Sequence, residues 1–436
     1  MSSDLTAGAA PSRRVSFAAL GTLWSRVWFQ DKPTTPLEIT RIGIGAAMLL
    51  HYALATPYLF LFWGNDGWMP RSRFGGPDAD VWVQSVFFYF NATWQWAVFH
   101  AVFLFCCAAL MLGWRTRWVK WLVLIGHISY DQRNTTLVYG VDAILACLLV
   151  ILCFAPTGRA LSLDRVRDVR RAKRQDLDAN VPQFTSRWAG ACVRLMQVQM
   201  AVLFYVSATD KMTGADWQMG DAVWRVFSHT DYYNALMLDV LASQPWMITV
   251  ASYGTIAIEL FYVVFIWPRW TRPIALAGAI FLHSQFALLM RLYYFSFVMT
   301  MGHMSFVRPE WLHRLGTAWK RRVGNMEMIY DGHCGFCKRS MAAFLAFDGL
   351  RQISIRDYRA NPSPVVPSEK VDKALYLVLP DGRALPGFDA YRHVVLRVPG
   401  MWWMVPLFYI PVLSRLVGRP LYNWIASHRS VLSKYA

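Results

Sequence analysis

Charge is scarce in this chain, and negative charge is scarcer. Of 436 residues, 16% are Asp, Glu, Lys or Arg, against about 25% in soluble domains. Only 27 are acidic while 44 are Lys or Arg, a net charge of +17. Cysteine is sparse too: there are seven, and Cys106, Cys107, Cys147, Cys153 and Cys192 lie in apolar stretches where a thiol acts as a small hydrophobe. That excludes a disulfide-built scaffold. Residues 1–36 are polar and offer no apolar run followed by a cleavage site, so no cleavable signal peptide is expected.

What the chain has in excess is apolar surface, with 56% hydrophobic residues and 15% aromatic ones. Such a chain cannot hide its side chains in one soluble core, and reads as an integral membrane protein with basic flanks. Disorder, collagen and coiled coil are excluded by the same composition. Nucleic acid is not an expected partner. The basic residues fall between hydrophobic segments, where membrane orientation explains them.

Hydropathy gives about eight spans, near 38–62, 94–113, 118–131, 137–156, 190–209, 246–267, 273–290 and 292–307. The third and eighth are short. Loop charge orients them. Arg13, Arg14, Arg26 and Lys32 lie in the first tail, and the loop after the fourth span holds Arg159, Arg165, Arg167, Arg170, Arg171, Lys173, Arg174 and Arg187. With eight spans these share one side with Arg115, Arg117, Lys120, Arg269, Arg272 and the basic stretch 309–325. The opposite loops hold Asp66, Asp78, Asp80, Asp216, Asp221, Asp231 and Asp239. The positive-inside rule then puts both termini in the cytoplasm of a multi-pass inner-membrane protein.

Four regions follow: a polar tail (1–36), a membrane domain (37–308), a basic juxtamembrane linker (309–325) and a small α/β domain (326–436). In the last, strands are expected at 326–330 and 352–355. Helices are expected at 338–347, 387–397 and 418–428, and a hairpin over 374–385 turning on Asp381-Gly382. Residues 401–413 are apolar but broken by Pro406 and Pro411. They read as a surface patch that docks on the membrane or on the membrane domain rather than as a further span.

The strongest chemical motif is Asp331-Gly332-His333-Cys334-Gly335-Phe336-Cys337. It is a C-x-x-C after a strand and opening a helix. Two Cys three apart on a first helical turn can form a disulfide with little backbone motion. Backbone N–H groups and the helix dipole stabilise a thiolate at the first of them. Cys334 is then the attacking thiolate and Cys337 the resolving thiol. A metal is not expected: zinc needs two more ligands, and His393 and His428 are isolated. Asp331 is either a proton acceptor for the buried thiol or a turn residue.

With Leu421-Tyr422-Asn423-Trp424-Ile425-Ala426-Ser427-His428-Arg429, this motif resembles the DCC family of thiol-disulfide oxidoreductases, named for residues matched here by Asp331, Cys334 and Cys337. The resemblance implies a thioredoxin-like fold and dithiol–disulfide exchange with a thiol or disulfide protein substrate. It implies no cofactor for that domain. A cytoplasmic placement favours protein-disulfide reduction.

Ionisable residues inside spans are functional candidates; they include Arg41, His51, Asp142, Glu259, His283 and Arg291. Asp210-Lys211 is sharper, because a lysine partly withdrawn from water can serve as a base. Its simpler reading is an interfacial pair with Asp210. The stretch Lys211-Met212-Thr213-Gly214-Ala215-Asp216-Trp217 resembles the catalytic-lysine region of vitamin K-dependent γ-carboxylases. Phe281 to Met299, with Pro309-Glu310-Trp311, is similar to a later segment of the same enzymes, and Leu161-Ser162-Leu163-Asp164 to the wider HTTM family.

This resemblance implies a quinone or hydroquinone as partner, with Lys211 as its base and His283 and Tyr139 as residues that hold it. Where the carboxylases carry a histidine ahead of a Tyr-Gly, this sequence has Thr135 before Val138-Tyr139-Gly140. Glutamate carboxylation is therefore not expected. The readings in competition are a C-x-x-C oxidoreductase coupled to quinone chemistry, a quinone epoxidase of carboxylase type, and a receptor or transporter with a redox-sensing C-terminal domain.

Overall fold

The computed structural model describes residues 17–70, 84–372, 374–428 and 431. Arg13, Arg14, Asp78, Asp80 and Arg429 lie outside them. Helices stand at each expected apolar segment: α1 (Thr35–Ala55), α2 (Thr93–Leu112), α3 (Thr116–Arg133), α4 (Gly140–Phe154), α6 (Arg187–Thr213), α7 (Trp246–Phe265), α8 (Arg272–Met290) and α9 (Tyr293–His303). Between them the basic loop forms α5 (Leu163–Gln175), capped by Ser162, whose hydroxyl accepts from Arg165 N at 3.0 Å. Among the described residues five helical runs are long and apolar enough to cross a bilayer: 35–63, α2, α6, α7 and α8. The 15-residue α4 is apolar but shorter.

The helices pack as two groups, α1 to α4 and α6 to α9, joined where α9 meets α1 and α4 meets α6. Arg41, a candidate functional residue by its position in a span, has a structural task. It is fully buried and pairs with Glu38 at 2.7 Å. Its guanidinium also donates to the carbonyls of Leu110, Met111 and Leu161. Glu38 in turn accepts from Arg159 N at 2.8 Å. The pair therefore clamps the end of α2 and the loop before α5 onto α1. Helix α2 can end so tightly because Gly113 takes the left-handed φ of 70°, and a Cβ there would strike Ser162.

Helix α10 (Pro309–Val323) leads directly into the C-terminal domain. Its sheet has the order β2-β1-β3-β4, with β1 (Met326–Tyr330) parallel to β2 (Ile353–Asp357) and antiparallel to β3 (Tyr376–Val378). Strand β4 (Ala384–Pro386) closes the hairpin. The Asp-Gly turn forms as expected: Gly382 has φ 83°, and Asp381 Oδ1 accepts from Arg383 N at 3.0 Å. Helices α11 (Gly335–Phe347), α12 (Gly387–Arg397) and α13 (Arg419–Ser427) complete the domain. Its core unites Met326, Met328, Met341, Leu377, Val394 and Val395.

The two regions touch. Helix α5 packs along α11, Leu177 joins the C-terminal core, and Arg351 donates to Asn180 Oδ1 at 2.6 Å. The basic loop and the dithiol domain therefore share one side of the helix bundle.

On α12, His393 keeps its Nε2 buried without a hydrogen bond. Burial, then Arg397 and Arg383, push its pKa down from 6.5 to about 4, with Asp381 opposing. As pH falls the unfolded chain takes up this proton first. The stability is present above pH 6.5 and is lost as pH falls from there toward 4. In the full chain, His393→Gln should flatten this part of the thermal-unfolding pH profile. An unchanged profile would assign the acid loss to other groups.

Candidate functional site

Strand β1, an inner strand, ends at Tyr330 and delivers the motif to the C-terminal end of the parallel pair. Asp331 Oδ1 accepts from His333 N at 2.9 Å, which shapes the turn. Gly332 N donates to Asp357 Oδ1 at 3.0 Å, and a Cβ on Gly332 would overlap that carboxylate. Glycine is required by this close approach. Gly332→Ala should cost about 1–3 kcal/mol, read as a lower unfolding midpoint of the C-terminal domain; an unaltered midpoint would show that Asp357 yields freely.

Helix α11 begins three residues earlier than its apolar pattern indicates. The reason is Cys334, which stands at the N-cap, and its Sγ accepts from Cys337 N at 3.3 Å. A sulfur thus does the work that Ser or Asp usually does. Neither cysteine forms a disulfide and both are half-buried, with exposed Lys338 and Arg339 beside them.

Asp331 has a partner that sequence reading did not supply. Arg359 Nε lies 3.0 Å from its Oδ1, and Nη2 of the same guanidinium lies 3.0 Å from Asp372. The hydrogen bond to Asp331 raises the Arg359 pKa. Tyr358 also donates to Asp372, and burial and that bond push its pKa up to about 12. Asp331 thus shapes the turn through His333 N and pairs with Arg359.

Behind Cys337 lies an apolar cavity of about 250 Å³, walled by Phe336, Phe344, Leu407, Phe408 and Tyr422 among others. Its residues come from six separate segments, so no motif marks it.

A second site lies in the membrane domain. Lys211 does not pair with Asp210. Its Nζ is 2.9 Å and 3.1 Å from the two carboxylate oxygens of Glu259 on α7, and it also donates to Ser207 Oγ. Trp217 covers it with a ring centroid at 5.4 Å. One turn before Ser207, the ring of Phe204 lies 5.8 Å from His283 and 5.1 Å from His303. His303 Nδ1 bonds the Tyr262 hydroxyl at 2.9 Å. His283 is 2% exposed, and neither ring nitrogen has a hydrogen-bond partner among the described residues. The structure thus brings the in-span candidates Lys211, Glu259, His283 and His303 into one region of the bundle, with Tyr262 beside them.

Tyr139 is not among them. Its side chain is exposed and lines a cavity of about 180 Å³ with His51, Asp131, Asp142 and Tyr294. Helix α9 is the wall between the two. Tyr294 stacks on His51 at 4.5 Å, while Phe295 lies 5.6 Å from His283. At the second cavity His127, Asp131 and Asp142 offer ligand atoms within 4.8 Å of one another. His127 Nδ1 and Nε2 are already engaged by the Tyr52 hydroxyl and the Asp142 carbonyl.

Apolar helices with a buried polar cluster, followed by an α/β domain with a dithiol at a helix N-cap, define a multi-pass membrane protein of redox type. A model of the HTTM domain matches residues 29–311, and a model of the DCC1-like thiol-disulfide oxidoreductases matches residues 328–434. The chain belongs to the HTTM family and carries a DCC1-like domain after it. No curated protein and no solved structure matches it.

Proposed function

We propose that this protein is a membrane-bound thiol–disulfide oxidoreductase whose C-terminal domain is thioredoxin-like and faces the cytoplasm. The observation that carries the reading is Cys334 at the N-cap of α11 with Cys337 one turn on. A β-α-β unit followed by an antiparallel hairpin supports the fold assignment. In the reaction, the Cys334 thiolate attacks one sulfur of a substrate disulfide, and the other sulfur leaves as a thiolate and takes a proton. Cys337, after losing its proton, attacks the Cys334 sulfur and releases the second substrate thiol. Two electrons pass to the substrate, and the Cys334–Cys337 disulfide awaits an external dithiol.

Eight spans would place the dithiol domain and the Arg-rich α5 together in the cytoplasm, and their mutual contact supports a shared side. Full-length protein in liposomes, with exposed native thiols replaced, should label from the cytoplasmic face at Arg170→Cys and from the opposite face at Thr230→Cys. Labelling of both from one face would overturn this topology.

A second reading is favoured by the unpartnered imidazole of His283 beside the Lys211–Glu259 pair. A quinone supplies two-electron redox chemistry. His283 would hold its polar end, and Phe204, Phe286 and Phe295 offer rings to flank it. Lys211, oriented by Glu259 at 2.9 Å, would be the base in this reading. Full-length protein should consume a reduced naphthoquinone in the presence of oxygen and lose that activity as Lys211→Ala. Disulfide reduction should survive the same substitution. Unchanged quinol consumption would retire Lys211.

A further inference from the structure

After α12 the chain runs through short helices over 399–409, turns by 80° at Ile410-Pro411, and continues to Ser427. The two arms together are as apolar as a membrane span. Their inner face belongs to the domain. Met401 and Phe408 are buried in its core, and Leu407 and Tyr422 wall the cavity at Cys337.

The outer face is apolar as well. Trp403, Val412, Leu416 and Trp424 are 66%, 63%, 71% and 53% exposed, with Ile410 and Leu421 beside them. Among the described residues none covers this face. A water-facing surface rarely concentrates large apolar groups in this way.

Three observations say what covers it. Residues 399–427 contain Arg415 and Arg419 and no Asp or Glu, and tryptophan with arginine and aliphatic residues suits a lipid headgroup boundary of negative charge. The segment is continuous with the exit from the membrane: Trp319 of α10 donates to Arg397 O at 2.9 Å and sets its ring edge-on to Trp402 at 5.7 Å. Helix α10 itself follows α9 after only five residues and carries Lys320, Arg321 and Arg322 in its last turn. The domain is therefore tethered to the helix bundle through α10, which packs against this segment.

We propose that residues 402–424 are a monotopic wedge that inserts into the adjacent leaflet of anionic phospholipid. Insertion would hold the cavity at Cys337 at the membrane surface, with the wedge as its wall. The inference does not depend on turnover by the dithiol.

The test uses the full chain in nanodiscs of phosphatidylcholine and phosphatidylglycerol, with Cys147, Cys334 and Cys337 replaced by serine. Spin labels go on Trp403→Cys, Leu416→Cys and, as an aqueous reference, Asp381→Cys in the hairpin turn. Labels at 403 and 416 should collide with oxygen in preference to a water-soluble nickel chelate, at a depth of about 5–10 Å. The label at 381 should show the reverse. Phosphatidylcholine alone should make 416 shallower. Nickel access at 403 and 416 equal to that at 381 would overturn the proposal. So would low access to both agents, which would mean cover by protein, and so would a depth at the bilayer centre, which would mean a span.

Discussion

Cys334→Ser should reduce disulfide-reductase turnover of the full-length protein by at least about 1000-fold, because it removes the thiol that attacks. Cys337→Ser should behave differently. It leaves the attacking sulfur in place and removes the one that resolves, so a mixed disulfide between Cys334 and the substrate should accumulate. The hydrogen bond from residue 337 N to the Cys334 sulfur uses the backbone, so the serine variant keeps it. A receptor with a sensing domain would show neither turnover nor this asymmetry. Both are read by steady-state reduction of a model disulfide and by non-reducing electrophoresis. Parent-like turnover in both variants, with no adduct in Cys337→Ser, would place the chemistry elsewhere.

Glu259→Ala should lower stability by about 3 kcal/mol, since it leaves Lys211 largely buried without its counter-charge. The side chains are 5% and 18% exposed, so water can replace little of the lost bond. Replacing both residues by methionine should recover most of the loss, because a matched apolar pair carries no stranded charge. Thermal unfolding in detergent reads both. A Glu259→Ala midpoint equal to that of the parent would mean that the ion pair contributes nothing. If the pair also serves quinone chemistry, the methionine double variant should be stable yet inactive toward quinol, which separates the structural role from the chemical one.

Local information carried much of this account. Strand 326–330, the Asp-Gly hairpin and helix 387–397 were readable because turn chemistry and apolar period agree there. The apolar pattern of helix α11 starts only at Lys338, but the C-x-x-C marks its true opening, with Cys334 at the N-cap. The C-x-x-C was plain, being contiguous. Non-local pairings were not. Lys211 and Glu259 are 48 positions apart on different helices, and no spacing rule joins them, whereas Asp210 is adjacent and misled the pairing. Arg41 shows the opposite error: a charge in a span raises a functional expectation, and only its partners reveal a clamp. Tyr139 and His283 were grouped by resemblance, and α9 stands between them. The apolar 401–413 stretch was recognised as a surface, but its second face, toward Cys337, needed three dimensions.

The central claim is that Cys334 and Cys337 act as one redox pair. Full-length protein equilibrated across a series of reduced-to-oxidised glutathione ratios, then differentially alkylated and analysed by mass spectrometry, tests it directly. The account predicts a single two-electron transition in which both thiols vanish together into a Cys334–Cys337 disulfide, while Cys106 and Cys107 stay reduced. Independent titration of the two, or glutathione adducts with no intramolecular disulfide at any ratio, would contradict it.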